Sequence, residues 1–366
     1  MPRPNRLPDL SALLSYALRG AALCVVVGTV VVVLTSSPET FARLQDFQWK
    51  WVPVLLAMVC GSWLANGGRV WLLAHGLRRP IRYGQALVIS LSTEFGFAAS
   101  PGGAGGTAIQ VSLLHRAGLP WSSAGTVAAT DAATALAFFA LVTPLALLLL
   151  ATNPAWNGLL QAVGNSEKVR VIAAVFGGLL LVAAAVFSGR GRRITWRILR
   201  GLPPLRRLRI EARLRYARDR ITSGVQRMTF LLRFLLRRRK LTLAAVFLLT
   251  AVQWICRYGV LPVTILAFSS QADILPLLLI QGFVFLLSPL LVLPGGGGGI
   301  EAVTPFFLCH FIPLPLTGIV LVVWRFFTYH LYLAVGGGTF FWTCGNMNRV
   351  FPREETEPAD VIVAAT

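Results

Sequence analysis

Five consecutive glycines, Gly295 to Gly299, follow Leu293-Pro294 and run into Ile300-Glu301 inside an otherwise apolar stretch. Shifted back by 193 positions, Ser100 to Thr107 reads Ser-Pro-Gly-Gly-Ala-Gly-Gly-Thr, which sets Pro294 on Pro101 and Gly298 and Gly299 on Gly105 and Gly106. The same shift sets Pro313 on Pro120 and Gly318 on Gly125. Proline removes a backbone donor and glycine weakens a helix, so each run should break one. A helix that restarts after Gly106 or Gly299 would present unpaired N–H groups and the positive end of its dipole. Two such ends meeting inside a membrane favour an anion, a phosphate or carboxylate above all. The candidate anion-binding residues are Gly102, Gly103, Gly105, Gly106 and Thr107 in the first run, Gly296, Gly297, Gly298, Gly299 and Glu301 in the second, and Arg325. The competing role for the glycines is close helix packing of the small-x-x-x-small kind; two repeat-related runs, each after a proline, weigh toward a site.

Charge inside apolar segments is costly and marks candidates of its own. Arg69, Glu94, Asp131 and Arg257 form an expected buried charge network, and Asp131 and Arg325 fall within one position of each other at the 193 offset. Arginine suits phosphate because its planar fork donates two hydrogen bonds at once. The plainer alternative is a set of structural pairs, such as Arg325 with Glu301 or Asp131. His75, His115, His310 and His330 show no metal-ligand spacing and are assigned to packing or interfacial positions; neither a metal nor a cofactor is expected. The first glycine run lacks the lysine of a P-loop, and the second has no preceding soluble strand, which argues against nucleotide binding. No Ser-His-Asp order or paired-carboxylate spacing suggests hydrolysis.

These residues need spans to hold them. Of 366 residues 55% are hydrophobic and 13% charged, and the mean hydropathy is +0.69. Soluble chains carry roughly a quarter charged residues, so this is a polytopic membrane protein. The net charge of +20 is concentrated: 18 of the 34 basic residues lie between Arg190 and Lys240. That loop reads as a positive-inside anchor with lipid contact, not as a nucleic-acid surface. Within it Leu214, Ala217, Ile221, Val225, Met228, Leu232 and Leu235 recur at three and four, one apolar face of a helix lying on the inner leaflet. Five cysteines without a C-x-x-C pair read as free, buried thiols.

About 20 residues of helix cross the hydrocarbon core, which places spans near 12–36, 51–76, 121–151, 169–188, 241–268 and 316–346. If the basic loop is cytoplasmic, 83–118 must begin and end inside, and 273–312 must begin and end outside. The expected fold is therefore an all-α polytopic membrane protein: six full spans and two re-entrant helical hairpins broken at Pro-Gly tips. The halves form an inverted-topology repeat, with both termini cytoplasmic. Residues 1–188 make the first membrane half, 189–240 the basic loop, 241–348 the second half and 349–366 a disordered acidic tail.

From about Arg69 to about Phe341 the chain resembles the transmembrane-region family of lysylphosphatidylglycerol synthase, a flippase-like domain also found alone in bacterial and archaeal membranes. The strongest anchors are Leu-Pro-Gly-Gly-Gly-Gly-Gly-Ile-Glu301 and Arg325 in Trp-Arg-Phe-Phe-Thr-Tyr. Ser100-Pro-Gly-Gly-Ala-Gly-Gly106 with Leu113 to Gly118, Asp131 and Arg69 match the first-half pattern. The chain departs from that pattern where Thr107 and Gln110 stand in the places of an acidic residue and an arginine. The aminoacyl-transfer domain has no counterpart here, so synthesis of lysyl-lipid is not expected. The resemblance implies a flippase of a prokaryotic plasma membrane that moves an anionic phospholipid or polyprenyl-phosphate lipid between leaflets. Its partners would be membrane lipids, with a homo-oligomer admitted. The competing readings are an intramembrane lipid-phosphate transferase with Glu301 or Asp131 as base, and a scaffold acting through the basic loop.

Overall fold

The computed structural model describes residues 43–100, 103–151, 230, 233–235, 237–268, 271, 273–287, 304, 308 and 311–352. The expected spans near 12–36 and 169–188, most of the basic loop, the second glycine run with Glu301, and the tail beyond residue 352 lie outside them. Of the tail expected to be disordered from 349, Arg349 and Val350 end a short helix, Met347–Val350, and Phe351 is buried. The chain divides into two units, Met1–Thr143 with Met228–Thr366, and Pro144–Arg227. Only the end of one helix is described in the second, and the packing below is that of the first.

All regular structure among the described residues is helical. In chain order the longer helices are α1 (Val52–Gly76), α2 (Tyr83–Ala99), α3 (Ala104–Arg116), α4 (Trp121–Ala151), α5 (Lys240–Ala267), α6 (Ile274–Leu287), α7 (Leu314–Arg325) and α8 (Leu331–Gly345). A five-residue π turn, Phe326–His330, joins α7 to α8 without a break in the helical path. Four stretches are long and apolar enough to cross a membrane: Trp49–Gly76, Trp121–Val142, Lys240–Ala267 and Leu316–Gly345. They coincide with four of the six expected spans.

Local sequence sets the helix ends. Pro53 and Pro315 sit in the first turns of α1 and α7, where a missing N–H costs nothing. Inside the spans, hydroxyls bond back to their own helix: Thr126, Thr130, Thr250, Thr264 and Thr328 each donate to the carbonyl four residues earlier, at 2.7–2.8 Å. A polar side chain is thereby satisfied without water. Cys60, Cys256 and Cys344 are free as expected, but Cys60 is exposed and the other two are half-buried.

The packing alternates by depth. One core gathers Leu55 and Val59 of α1, Leu261 and Ile265 of α5 and Trp324 of α7. A second gathers Val70 and Leu73 of α1, Ile89 of α2, Leu114 of α3, Val127 of α4 and Val246 of α5. Between them on α1 stand Ser62, Asn66 and Arg69, spaced four and three apart on one face and all buried. Among the described helices the contact between α1 and α5 is the most extensive, and α2 lies along both α3 and α8.

Candidate functional site

A polar layer crosses the middle of these spans. Asp131 is the eleventh of the 22 residues in Trp121–Val142, and Gln253 the fourteenth of the 28 in Lys240–Ala267. Arg69, 3% exposed, reaches both. Its Nη2 pairs with the Asp131 carboxylate and donates to the Asp131 carbonyl at 3.0 Å, while its Nη1 donates to Gln253 Oε1. Gln110 of α3, also buried, turns its amide to the other Asp131 oxygen at 3.5 Å. Asp131 is thus held by Arg69 of its own half, not by Arg325.

One turn away along α1 and α5 a second ion pair repeats the device. Arg257 Nη1 lies 2.9 Å from Glu94 Oε2, and Asn66 Nδ2 donates to Glu94 Oε1 at 3.0 Å. The guanidinium rests 4.5 Å above the Tyr332 ring, whose hydroxyl donates to Ser62 at 3.0 Å. The four residues expected as a buried charge network therefore form two neighbouring pairs, joined through the faces of α1 and α5. A buried pair is expensive to desolvate and is supported by hydrogen bonds to its remaining positions; Gln110, Gln253 and Asn66 each fill one here, while Arg69 Nε has no partner among the described residues.

The first break is closed by small residues. Gly103 takes the left-handed conformation, φ 73°, as the residue before α3, which glycine adopts at no steric cost. Helix α3 begins at Ala104, three residues before the start expected from the sequence, so Gly105 and Gly106 belong to its first turn. The Gly105 N–H is taken by Ser100 Oγ at 2.8 Å, and Ser100 Oγ in turn donates to the Gly96 carbonyl at 2.7 Å. A Cβ on Gly106 would lie 2.4 Å from the Phe97 ring, and one on Gly96 2.8 Å from Gly106 Cα. These glycines bring α2 and α3 together at backbone distance. Thr107, next in the turn, is exposed. Gly102 and the residues Gly296, Gly297, Gly298, Gly299 and Glu301 lie outside the described residues.

Arg325 is linked to this break through Tyr329. It is 3% exposed at the end of α7, with its guanidinium 5.0 Å from the Tyr329 ring and 5.6 Å from Trp324. The π turn carries Tyr329 to the end of α2, where its hydroxyl stands 3.5 Å from the Ala98 carbonyl. Phe95, one turn earlier, packs on Phe340 and Phe341 of α8, and a Cβ on Gly336 would meet the Leu91 carbonyl at 2.7 Å.

Sequence reasoning missed Asn66, Gln253, Tyr329 and Tyr332. The first two were legible: they stand three before Arg69 and four before Arg257, on the same helix faces. The three described histidines make packing contacts, and His310 lies outside the described residues. His75 Nδ1 bonds the Trp71 carbonyl at 2.9 Å, His115 stacks on Trp121 at 4.1 Å, and His330 lies 3.2 Å from the Arg325 carbonyl.

The chain is 22% identical over 330 residues to a curated UPF0104 membrane protein of Archaeoglobus fulgidus, covering 87% of this chain and 94% of that one. The family model described as lysylphosphatidylglycerol synthase TM region matches residues 21–336, a stretch that takes in both glycine runs, both ion pairs and Arg325. With most of its length inside that match, the chain belongs to the lysylphosphatidylglycerol synthase TM region family.

Proposed function

We propose that this protein is a lipid flippase, which carries an anionic phospholipid or polyprenyl-phosphate lipid between leaflets with its headgroup held at the broken helices. The observation that supports this reading is that Tyr329 touches both Arg325 and the first break: its ring lies 5.0 Å from the guanidinium and its hydroxyl 3.5 Å from the Ala98 carbonyl. A phosphate bound there would find in Arg325 a planar donor of two hydrogen bonds, while its acyl chains stay in hydrocarbon. Gly105 and Gly106 serve that arrangement by letting the break close tightly.

Two further features support an inverted-topology repeat with re-entrant hairpins. Helices α2 and α3, of 17 and 13 residues, are short for a crossing, which takes about 20. Helix starts also recur at the offset of the sequence repeat: α4 at Trp121 and α7 at Leu314, since 121 + 193 = 314. In this reading α2 and α3 enter and leave by one face, residues 273–312 do so by the opposite face, and both termini are cytoplasmic in a prokaryotic plasma membrane. Rocking of the halves would then open the midplane to each leaflet in turn.

No bond is made or broken in this step. Asp131 and Glu94, the carboxylates at this depth among the described residues, are each engaged by an arginine and an amide, which leaves them as structural charges. The test is purified protein in liposomes with labelled phosphatidylglycerol. Leaflet transfer without a new lipid species is expected, falling at least tenfold in Arg325→Ala with normal folding; unchanged transfer in that variant, or a new lipid product, overturns the reading.

A further inference from the structure

On the outward side of the α1–α5 contact lies a groove of about 390 Å³, inside the ~300–1,000 Å³ typical of ligand pockets. Its floor is Gly61, Ala65 and Gly68, spaced four and three along α1, so that side-chain bulk is missing from one strip of the helix. Leu249 and Val252 of α5 form the facing wall, and a Cβ on Gly68 would already lie 3.0 Å from Leu249. The lining is almost wholly apolar, and its rim residues Leu64 and Val252 are 49% and 40% exposed. A dry apolar groove that opens on hydrocarbon is filled by hydrocarbon, because an unfilled one forfeits the contacts of its lining.

One end of the groove is marked. Tyr83 closes it, with its hydroxyl donating to the Leu64 carbonyl at 2.9 Å and its ring 6.3 Å from Trp71. Tyrosine and tryptophan settle where hydrocarbon meets headgroups. Immediately beyond this aromatic end stand Arg78 and Arg82, both exposed, with Arg79 half-exposed between them. Apolar groove, aromatic collar and basic rim follow one another in the order tail, glycerol and phosphate of a phospholipid.

We propose that this groove is a binding site for an anionic glycerophospholipid, with one acyl chain along Gly61, Ala65 and Gly68 and the phosphate on Arg78 and Arg82. The charge of the rim decides for an anionic lipid over a zwitterionic one: each arginine near such a headgroup strengthens binding about fivefold. The site is separate from the midplane break and does not depend on leaflet transfer.

The test is the full-length protein in phosphatidylcholine vesicles doped with phosphatidylglycerol carrying a photoactivatable acyl chain, with cross-linked peptides mapped by mass spectrometry. Cross-links are expected on the α1 and α5 segments that hold Leu64 and Val252. They should disappear in Val252→Trp and in Leu64→Trp, two rim changes that fill the groove from outside and guard against one variant misfolding. The double change Arg78→Gln with Arg82→Gln should lower the yield about 20-fold. Equal labelling by a phosphatidylcholine probe, labelling that survives both tryptophan variants, or native cross-links from residues 12–36 to the groove in place of lipid would each overturn the proposal. Arg325→Ala should leave the labelling unchanged, which separates failure of this site from failure of the flippase reading.

Discussion

Helix α4 and the α7–α8 span start 193 residues apart in the sequence, each directly after a proline, Pro120 and Pro313, and each carrying one charge about ten residues in. There the likeness ends. Helix α4 keeps regular α geometry through Asp131, whereas the second span leaves it immediately after Arg325 for the π turn Phe326–His330. The acidic residue is gripped by Arg69 and Gln110, while the basic one lies against the rings of Trp324 and Tyr329. A π turn inserts an extra residue into the helical ladder and recurs at functional positions. The two spans share a frame and differ in chemistry: the first locks a charge pair between helices, and the second sets a cation against aromatic rings, one of which, Tyr329, reaches the end of α2.

If that contrast holds, removing the cation of the locked pair should do the most damage to folding. Arg69→Ala leaves the Asp131 carboxylate, only 17% exposed, without its guanidinium, and loss of one partner of a buried pair costs about 3–5 kcal/mol. Unfolding of the purified protein in detergent, followed by near-UV circular dichroism, should register a loss of that size. Arg69→Leu combined with Asp131→Leu should recover most of it, since replacing both charges leaves none uncompensated. A double variant as unstable as the single one would show that the pair is not the unit that matters.

Next in size is the tight break. Gly106→Ala drives a methyl into the Phe97 ring, where the Cβ would lie 2.4 Å away, and overpacking of this kind costs about 1–3 kcal/mol. Gly338→Ala on α8 meets nothing within 4 Å and should instead gain the helix propensity of alanine, up to about 1 kcal/mol. A melting comparison of the two variants checks whether the glycines at the break act through close approach. Equal melting temperatures would contradict it.

How much of this was legible beforehand follows from what each signal depends on. The four described spans were readable because length and hydropathy are local properties, and the first break because proline and glycine act on their own backbone. The position of each charge was readable too, since a charge amid apolar residues stands out without knowledge of its neighbours. Pairing was not: nothing local says that Asp131 turns to Arg69 of α1 and not to Arg325, because that choice depends on how α1 and α4 pack. The π turn was equally hidden, as Phe326 to His330 has no composition that separates it from α-helix. The role of Gly105 and Gly106 needed Phe97 and Ser100 in place. Their type announced a backbone close to something, and the fold showed that something to be the neighbouring helix.

The Tyr329 ring and hydroxyl can be separated by two substitutions of unequal size. Tyr329→Leu removes the face on which the Arg325 guanidinium lies, 5.0 Å from the ring, and should destabilise the protein by about 1–2 kcal/mol.

The smallest expected effect is that of Tyr329→Phe. The hydroxyl stands 3.5 Å from the Ala98 carbonyl, at the outer limit of a hydrogen bond, so its loss should change the unfolding free energy by no more than about 0.5 kcal/mol. The ring survives, and with it the surface under Arg325. Leaflet transfer is therefore expected to stay close to the native rate in this variant and to fall in Tyr329→Leu, if Tyr329 serves the site by holding the cation. Transfer that falls as far with phenylalanine as with leucine would assign the effect to the Ala98 carbonyl instead. It would make the end of α2, not the π turn, the element that sets the site, and the contrast between the two repeat-related spans would lose its functional half.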